Sequence, residues 1–296
     1  EESFFDVDDF NFVNQGDNLV VKGALDTGDW DFTDEAFAFM DFSGMTAFGV
    51  DVDFNDAEVG SKIITTKFAD DIEASQGNDD INSGAGSDDI DGNAGNDIIT
   101  ALGGAGTTTN IRGGLGNDTV NITGAGRDNV IVGHEGPTNF DTINGFNIAT
   151  DWIFLDLDDM GGDAVNGAGV ALTPDADPNL QTVATAGAPG VPNINPASEI
   201  FLLEGTFATL GAVETAINYT GSRALIASSL LANPDVGDQL IIGWQDTGGN
   251  FHVSAAEITN QVATSLTTEG YNFHLNEMAV VTGVPALATL EFQLVS

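Results

Sequence analysis

The sequence predicts an all-β-dominated fold: a stack of short strands and tight turns through its middle, a strand-rich N-terminal flank, and a small α+β C-terminal domain. Three observations predict it. Glycine, aspartate and one aliphatic residue recur on a nine-residue grid through the middle of the chain. The 42% hydrophobic content, with 19 Phe, supplies a core despite a formal net charge of -40. The upstream segments alternate apolar and polar residues, which is the strand period rather than the helical one.

The grid is clearest in five nonapeptides that begin at Ala74, Ser83, Gly92, Gly113 and Thr123. Their fourth residues are Gly77, Gly86, Gly95, Gly116 and Gly126, and their sixth are Asp79, Asp88, Asp97, Asp118 and Asp128. Asp70 lies nine residues before Asp79, and Ile63, Ile72, Ile81, Ile90 and Ile99 are nine apart throughout. One aliphatic residue in nine cannot form an amphipathic helix, which needs apolar returns every three or four residues. It suits coils stacked on coils, with each Ile joining an inward column where burial stabilises by about 1.5–3 kcal/mol. Glycine at the turn permits positive φ and lets carbonyls converge. Aspartate adds a hard anionic oxygen of the kind calcium's oxygen shell requires.

The pattern Gly-Gly-X-Gly-X-Asp-X-aliphatic-X resembles the calcium-binding repeats of the RTX family. The resemblance implies a parallel β-roll over residues 61–160, with two nonapeptides to each turn and several Ca2+ ions in the turns. It assigns metal binding to Asp70, Asp79, Asp88, Asp97, Asp118 and Asp128, with the turn glycines Gly77, Gly84, Gly86, Gly95, Gly104, Gly106, Gly114, Gly116 and Gly126. Residues 18 apart should then stack, so that Asp70 faces Asp88 and Asp79 faces Asp97. Three departures matter. Residues 103–112 form a ten-residue unit with Thr108 at the expected Asp position, so an ion at that level should be weak or missing. Ala101-Leu102 are extra and put Asp118 at 21 residues from Asp97. Several Gly-Gly pairs are eroded to Ala-Ser, Ser-Gly or Gly-Asn.

The flanks divide by composition. Residues 1–60 hold ten of the 19 Phe, and Val50-Asp-Val52-Asp-Phe54 reads as a half-buried strand. This flank is similar to the strand-rich arrays that precede the repeats in bacterial surface-layer proteins. After the repeats, Asp141-x-Ile143-x-x-Phe146 and Asp151-x-Ile153-x-Leu155 resemble the segment that closes RTX rolls. Phe146, Trp152 and Phe154 are the aromatic residues expected to cover its last coil. Residues 161–198 carry five of the eight Pro and read as a linker or long loop. Residues 199–296 form the C-terminal domain: a strand at Glu199–Glu204, a helix through Leu210, Val213 and Ile217, and a hairpin around Asp246-Thr-Gly-Gly249. This succession resembles the C-terminal region of type I secretion substrates.

Charge and motif searches narrow the function. With 6 basic against 46 acidic residues the chain lacks the positive footprint that binding to nucleic acid requires. Cysteine is absent, which removes disulfides, thiolate nucleophiles and zinc-thiolate sites. The N-terminal Glu-Glu-Ser-Phe-Phe has no basic and apolar leader, and the missing initiator Met points to a fragment or processed chain. His134, His252 and His274 belong to no HExxH, and no Gly-x-Ser-x-Gly or GxxxxGK[ST] occurs. His252 reads as a polar surface or core residue. The expectation is a non-enzymatic, calcium-dependent structural protein, extracellular or at a bacterial cell surface, in a surface layer, matrix or filament. Its expected partners are other copies of itself, the type I secretion machinery and a cell-surface polysaccharide. The alternative is the calcium-folding and secretion module of a larger RTX adhesin, toxin or hydrolase.

Overall fold

Each strand of the repeat pairs in parallel with the strand two nonapeptides away, so that consecutive strands alternate between two sheets. This is a parallel β-solenoid. The computed structural model describes residues 18–23, 29–31, 37–55, 57–134, 136, 138–160, 163–174, 178–183, 193–228, 234–263, 268–284 and 290–295. In chain order the solenoid strands are β1 (Asn18–Gly23), β2 (Asp29–Asp31), β3 (Phe39–Met45), β4 (Asp51–Asp53), β5 (Lys62–Ile64), β6 (Asp71–Glu73) and β7 (Asp80–Gly84). They continue as β8 (Asp89–Asp91), β9 (Ile98–Gly103), β10 (Thr108–Arg112), β11 (Thr119–Gly124), β12 (Arg127–Val132) and β13 (Asp141–Asn144). The odd-numbered strands form one sheet in sequence order and the even-numbered ones the other.

The register turns the nine-residue grid into two apolar columns. Met40, Ile63, Ile81, Ile99, Val120 and Ile143 align strand by strand in the first sheet. Val52, Ile72, Ile90, Ile111 and Val130 do so in the second. None of these eleven is more than 2% exposed. The insertion Ala101-Leu102 is absorbed by lengthening β9: Ala101 pairs with Ile122 and is buried, while Leu102 points outward. Strand alternation therefore survives a spacing that breaks the repeat. Near the end of the stack Phe146 is buried and the Arg127 guanidinium lies 4.2 Å over the Trp152 ring.

By contact the chain divides into two compact units, Glu1–Ile131 with Asp141–Trp152, and Val132–Phe140 with Ile153–Ser296. The second unit contains most of β14 (Trp152–Asp156), then β15 (Leu180–Val183), β16 (Ile200–Phe207), α1 (Leu210–Ile217), β17 (Ile226–Ser228), β18 (Gln239–Asp246), β19 (Phe251–Ala263), β20 (Thr268–Val281) and β21 (Glu291–Val295). Strands β20, β19, β18, β16 and β15 are neighbours in that order, antiparallel from β20 to β18 and parallel from β18 to β15. Helix α1 begins at Thr209, whose hydroxyl caps the Ala212 amide, and it buries Val213, Ala216 and Ile217. The expected strand, helix and hairpin are all present. Of residues 161–198, expected to be a linker or long loop, those described include the short strand β15 and the core side chains Val165, Val183 and Ile194. They pack with Phe201, Leu240, Trp244 and Tyr271. No helix among the described residues is long and apolar enough to cross a membrane.

Candidate cation-binding turns

Side chains alternate along a strand, so the sixth residue of a nonapeptide faces the same way as the eighth. The aliphatic column therefore carries a column of aspartates beside it. Along the first sheet these are Asp79, Asp97, Asp118 and Asp141; along the second they are Asp70, Asp88, Asp128 and Asp151. None is more than 3% exposed.

Within each column one carboxylate oxygen is consumed by the backbone of the preceding coil. The Ser61 amide donates to Asp79 Oδ1 at 2.6 Å, Asp79 to Asp97 at 2.7 Å, Asp97 to Asp118 at 2.8 Å, and Asp118 to Asp141 at 3.1 Å. In the second column Val50 donates to Asp70 at 2.8 Å, Asp70 to Asp88 at 3.2 Å, and Asp128 to Asp151 at 3.2 Å. Asp70 thus meets Asp88, and Asp79 meets Asp97, across 18 residues as the two-nonapeptide turn requires. Asp97 meets Asp118 across 21.

One oxygen on each of four of these carboxylates has no partner: Asp88 Oδ2, Asp97 Oδ2, Asp118 Oδ2 and Asp128 Oδ1. An unpaired buried carboxylate costs several kcal/mol, so such a group neutralises or finds a cation. Burial pushes the Asp97 carboxyl up to about 8, and the neighbouring Asp118, Asp79 and Asp91 charges add to it. Burial likewise raises Asp128 to about 7, reinforced by Asp151 and Asp88. Asp79, Asp88 and Asp118 are raised by burial to about 6, and Asp70 is raised as well.

The glycines let backbone oxygens of the neighbouring coil approach closely. A Cβ on Gly95 would lie 2.4 Å from the Gly77 carbonyl oxygen, and one on Gly116 only 1.5 Å from that of Gly95. A Cβ would lie 2.0 Å from the Phe68 oxygen on Gly86, 1.7 Å from that of Thr66 on Gly84, and 1.9 Å from that of Asn93 on Gly114. On Gly77 it would meet the Gly60 nitrogen at 2.2 Å, and on Gly126 Thr107 Oγ1 at 2.7 Å. The ten-residue unit is looser: a Cβ on Gly104 would come no nearer than 3.8 Å to its neighbour, and Gly106 faces open space but adopts φ +88°. Among the described residues no three His, Cys, Asp or Glu side chains converge on one point. Any ion held here would draw on carboxylates and backbone carbonyls alone, an oxygen-only set that fits calcium and not a softer metal.

Two placements differ from the sequence reading. Thr109, not Thr108, stands in the aspartate column, opposite Asp128 and fully buried with Oγ1 unpartnered. The extra residue of the ten-residue unit falls before it and turns Thr108 outward. Asp141 and Asp151 extend the columns beyond the repeats, and sequence reasoning did not include them as site residues. The signal was present in the Asp-x-Ile cadence of both segments, but their 23-residue spacing hid it.

The outward residues of the second sheet form acidic rows. Asp51, Asp71 and Asp89 align across three strands, as do Asp53, Glu73 and Asp91. A groove of about 650 Å³ along the first row is lined by Phe48, Asp51, Asp71, Asp88, Asp89 and Asn110. Burial and the Asp89 charge raise the Asp71 carboxyl.

In the C-terminal unit, His252 is buried and stacks on Trp244 with ring centroids 3.8 Å apart. Its Nδ1 contacts Glu277, and its Nε2 lies 3.4 Å from Asp246 Oδ2. Burial pushes the Asp246 carboxyl up, but hydrogen bonds from Asn250 and the Gly248 amide, with the His252 ring beside it, outweigh it and bring it down to about 2. The His252–Glu277 contact joins β19 to β20, so His252 holds a polar position inside the fold. No protein family, curated protein or solved structure matches this chain.

Proposed function

We propose that this chain is an RTX-type calcium-folded β-roll, serving as a non-enzymatic structural subunit of a bacterial surface layer, matrix or filament. Type I secretion would deliver it, and extracellular calcium would fold it. The single observation that carries the reading is the set of four partnerless carboxylate oxygens buried between stacked glycine turns. Asp88, Asp97, Asp118 and Asp128, with the carbonyls beside Gly86, Gly95 and Gly116, are the groups that would hold the ions. Calcium bound there would supply the positive charge that each column lacks. Each ion held only by the folded form adds about 1.4 kcal/mol at tenfold saturation. The acidic rows on the second sheet support assembly through cations, because like charges directly opposite across strands repel.

Circular dichroism and calorimetry on the purified chain test the calcium step. Residues 61–160 should be largely unfolded in chelator and β-rich in millimolar calcium, with several ions bound. Equal β content in both conditions and no heat of binding would refute it. Light scattering tests the assembly step: sheets or fibres should form with calcium, dissolve in chelator, and fail to form in monovalent salt. A chain that binds calcium yet stays monomeric at high concentration would favour a secretion module of a larger RTX protein.

A further inference from the structure

The aspartate columns contain two kinds of turn, and the residue four positions before the aspartate distinguishes them. Before Asp70 and Asp79 that residue is Thr66 or Ser75. The Thr66 hydroxyl donates to Asp70 Oδ1 at 2.8 Å and its amide to Oδ2 at 3.0 Å. The Ser75 hydroxyl donates to Asp79 Oδ2 at 2.8 Å and its amide to the same oxygen at 3.2 Å. Each hydroxyl oxygen in turn accepts an amide two residues on, from Phe68 at 2.9 Å and from Gly77 at 3.1 Å. Both carboxylates are thereby hydrogen-bonded on both oxygens.

Before Asp88, Asp97, Asp118 and Asp128 the same position is Gly84, Asn93, Gly114 and Gly124. All four have positive φ, at 70°, 63°, 96° and 117°. Asn93 is the one described non-glycine residue in that region. The Gly84 and Asn93 amides bond Asn82 Oδ1 and Asp91 Oδ1 instead of the column aspartate. None of these four residues carries a hydroxyl, and although Ser83 Oγ lies close enough to Asp88 to lower its pKa, that oxygen and Asp88 Oδ2 make no hydrogen bond of ordinary geometry. These four aspartates, none more than 2% exposed, are the ones with a partnerless oxygen.

We infer that Thr66 and Ser75 take the place of a cation, so that the Asp70 and Asp79 turns are closed to ions and the ion-requiring turns are those of Asp88, Asp97, Asp118 and Asp128. The inference rests on the calcium reading above and sharpens it, since it divides a repeat that looks uniform in sequence. The replacement of the second glycine of the nonapeptide by Thr66 or Ser75 is then a change of turn type and not an erosion. One consequence is directional. The coil that contains β5 and β6 satisfies its buried aspartates without ions, so of residues 61–160, largely unfolded in chelator, it is the part that retains most hydrogen bonding. The coils from β9 to β12 depend on ions and stack onto it when calcium arrives.

Calorimetric calcium counts on the full chain, with and without Thr66→Gly and Ser75→Gly together, test this. Replacing both hydroxyls with glycine should open the two turns and raise the number of ions bound. An unchanged count in a folded double variant overturns the inference. If the variant does not fold, amide exchange of the unaltered chain in chelator decides. Amides of β5 and β6 should exchange at least tenfold more slowly than those of β9 to β12, and uniform exchange along the solenoid overturns the inference. The two readings fail differently: no calcium heat for the unaltered chain removes the calcium reading itself, whereas normal binding with an unchanged count or uniform exchange removes only the division of the turns.

Discussion

In chelated buffer, acidification from pH 8 to pH 5 should stabilise this protein, the reverse of ordinary acid denaturation. The folded-state carboxyls of Asp79, Asp88 and Asp118 are raised to about 6, that of Asp128 to about 7 and that of Asp97 to about 8. In the unfolded chain an aspartate titrates near 3.9. Between those values the folded form holds protons that the unfolded form has released. The slope of unfolding free energy with pH is therefore negative. This stability is complete below about pH 4 and is lost as pH rises through the folded-state values. A carboxyl protonated in the folded form and ionised in the unfolded one contributes about 1.4 kcal/mol per pH unit, and about half that where the pH equals its folded-state value. Relief of general repulsion at net charge -40 acts in the same direction. Asp97→Asn separates the two effects, because it keeps the oxygen that accepts the Asp79 amide and removes one proton. Circular dichroism of the chelated chain should show β content rising as the pH falls from 8 to 5, and the variant should have a shallower slope between pH 6 and pH 8. In millimolar calcium the sign should reverse, since protons then compete with the ions. A chelated chain that is most stable at pH 8, or a slope unchanged by Asp97→Asn, would refute the reasoning.

Three further outcomes follow from the packing. Ile81→Ala removes a fully buried side chain between Ile63 and Ile99 and should cost about 2–5 kcal/mol in calcium, read from denaturant midpoints. Gly116→Ala places a Cβ 1.5 Å from the Gly95 oxygen at φ +143°, so it should lower calcium affinity as well as stability; calorimetry showing unaltered affinity would contradict the stacked-turn geometry. Asp79→Ala and Asp97→Ala remove neighbouring carboxylates of one column, the Asp79 charge acting directly on Asp97, and should couple by about 0.5–3 kcal/mol in a double-mutant cycle. The pair Asp79→Ala and Asp88→Ala, in different columns, should be closer to additive; the opposite order would imply a nine-residue coil.

What was legible in the sequence was whatever depends on period alone. The Ile spacing gives the aliphatic columns, and the two-nonapeptide turn that the RTX resemblance implies gives the 18-residue register found between β5 and β7 and between β6 and β8. The facing of Asp70 with Asp88 and of Asp79 with Asp97 follows from the same arithmetic. Where a segment changes length, counting fails. Thr109 takes the column position that counting gave to Thr108, because strand pairing chooses which residue of a lengthened unit turns inward. Asp141 and Asp151 escaped for the same reason. The proline-rich stretch escaped for another. Val165, Val183 and Ile194 are isolated apolar residues without a period, and only the partners Phe201 and Leu240 reveal them as core.

The acidity of the chain now divides into demands that differ in kind. Buried column aspartates stand beside the aliphatic columns, and each partnerless oxygen asks for one positive charge at one point. A diffuse ion atmosphere cannot reach those oxygens, so salt screening leaves that demand unmet. The outward rows Asp51–Asp71–Asp89 and Asp53–Glu73–Asp91 are different. Their members sit about 4.8 Å apart, the spacing of adjacent strands. Arg112 lies 3.9 Å from Asp91 in the second of these rows. Monovalent salt, which screens over about 8–10 Å, weakens the repulsion along such a row but cannot join two rows on different molecules. A divalent ion can do both. On the calcium reading proposed above, one class of cation would meet both demands at different concentrations, the enclosed oxygens filling before the open rows. A calcium titration should show folding by circular dichroism complete before light scattering rises. Scattering that rises before folding would mean that the rows, and not the turns, hold the tighter ions.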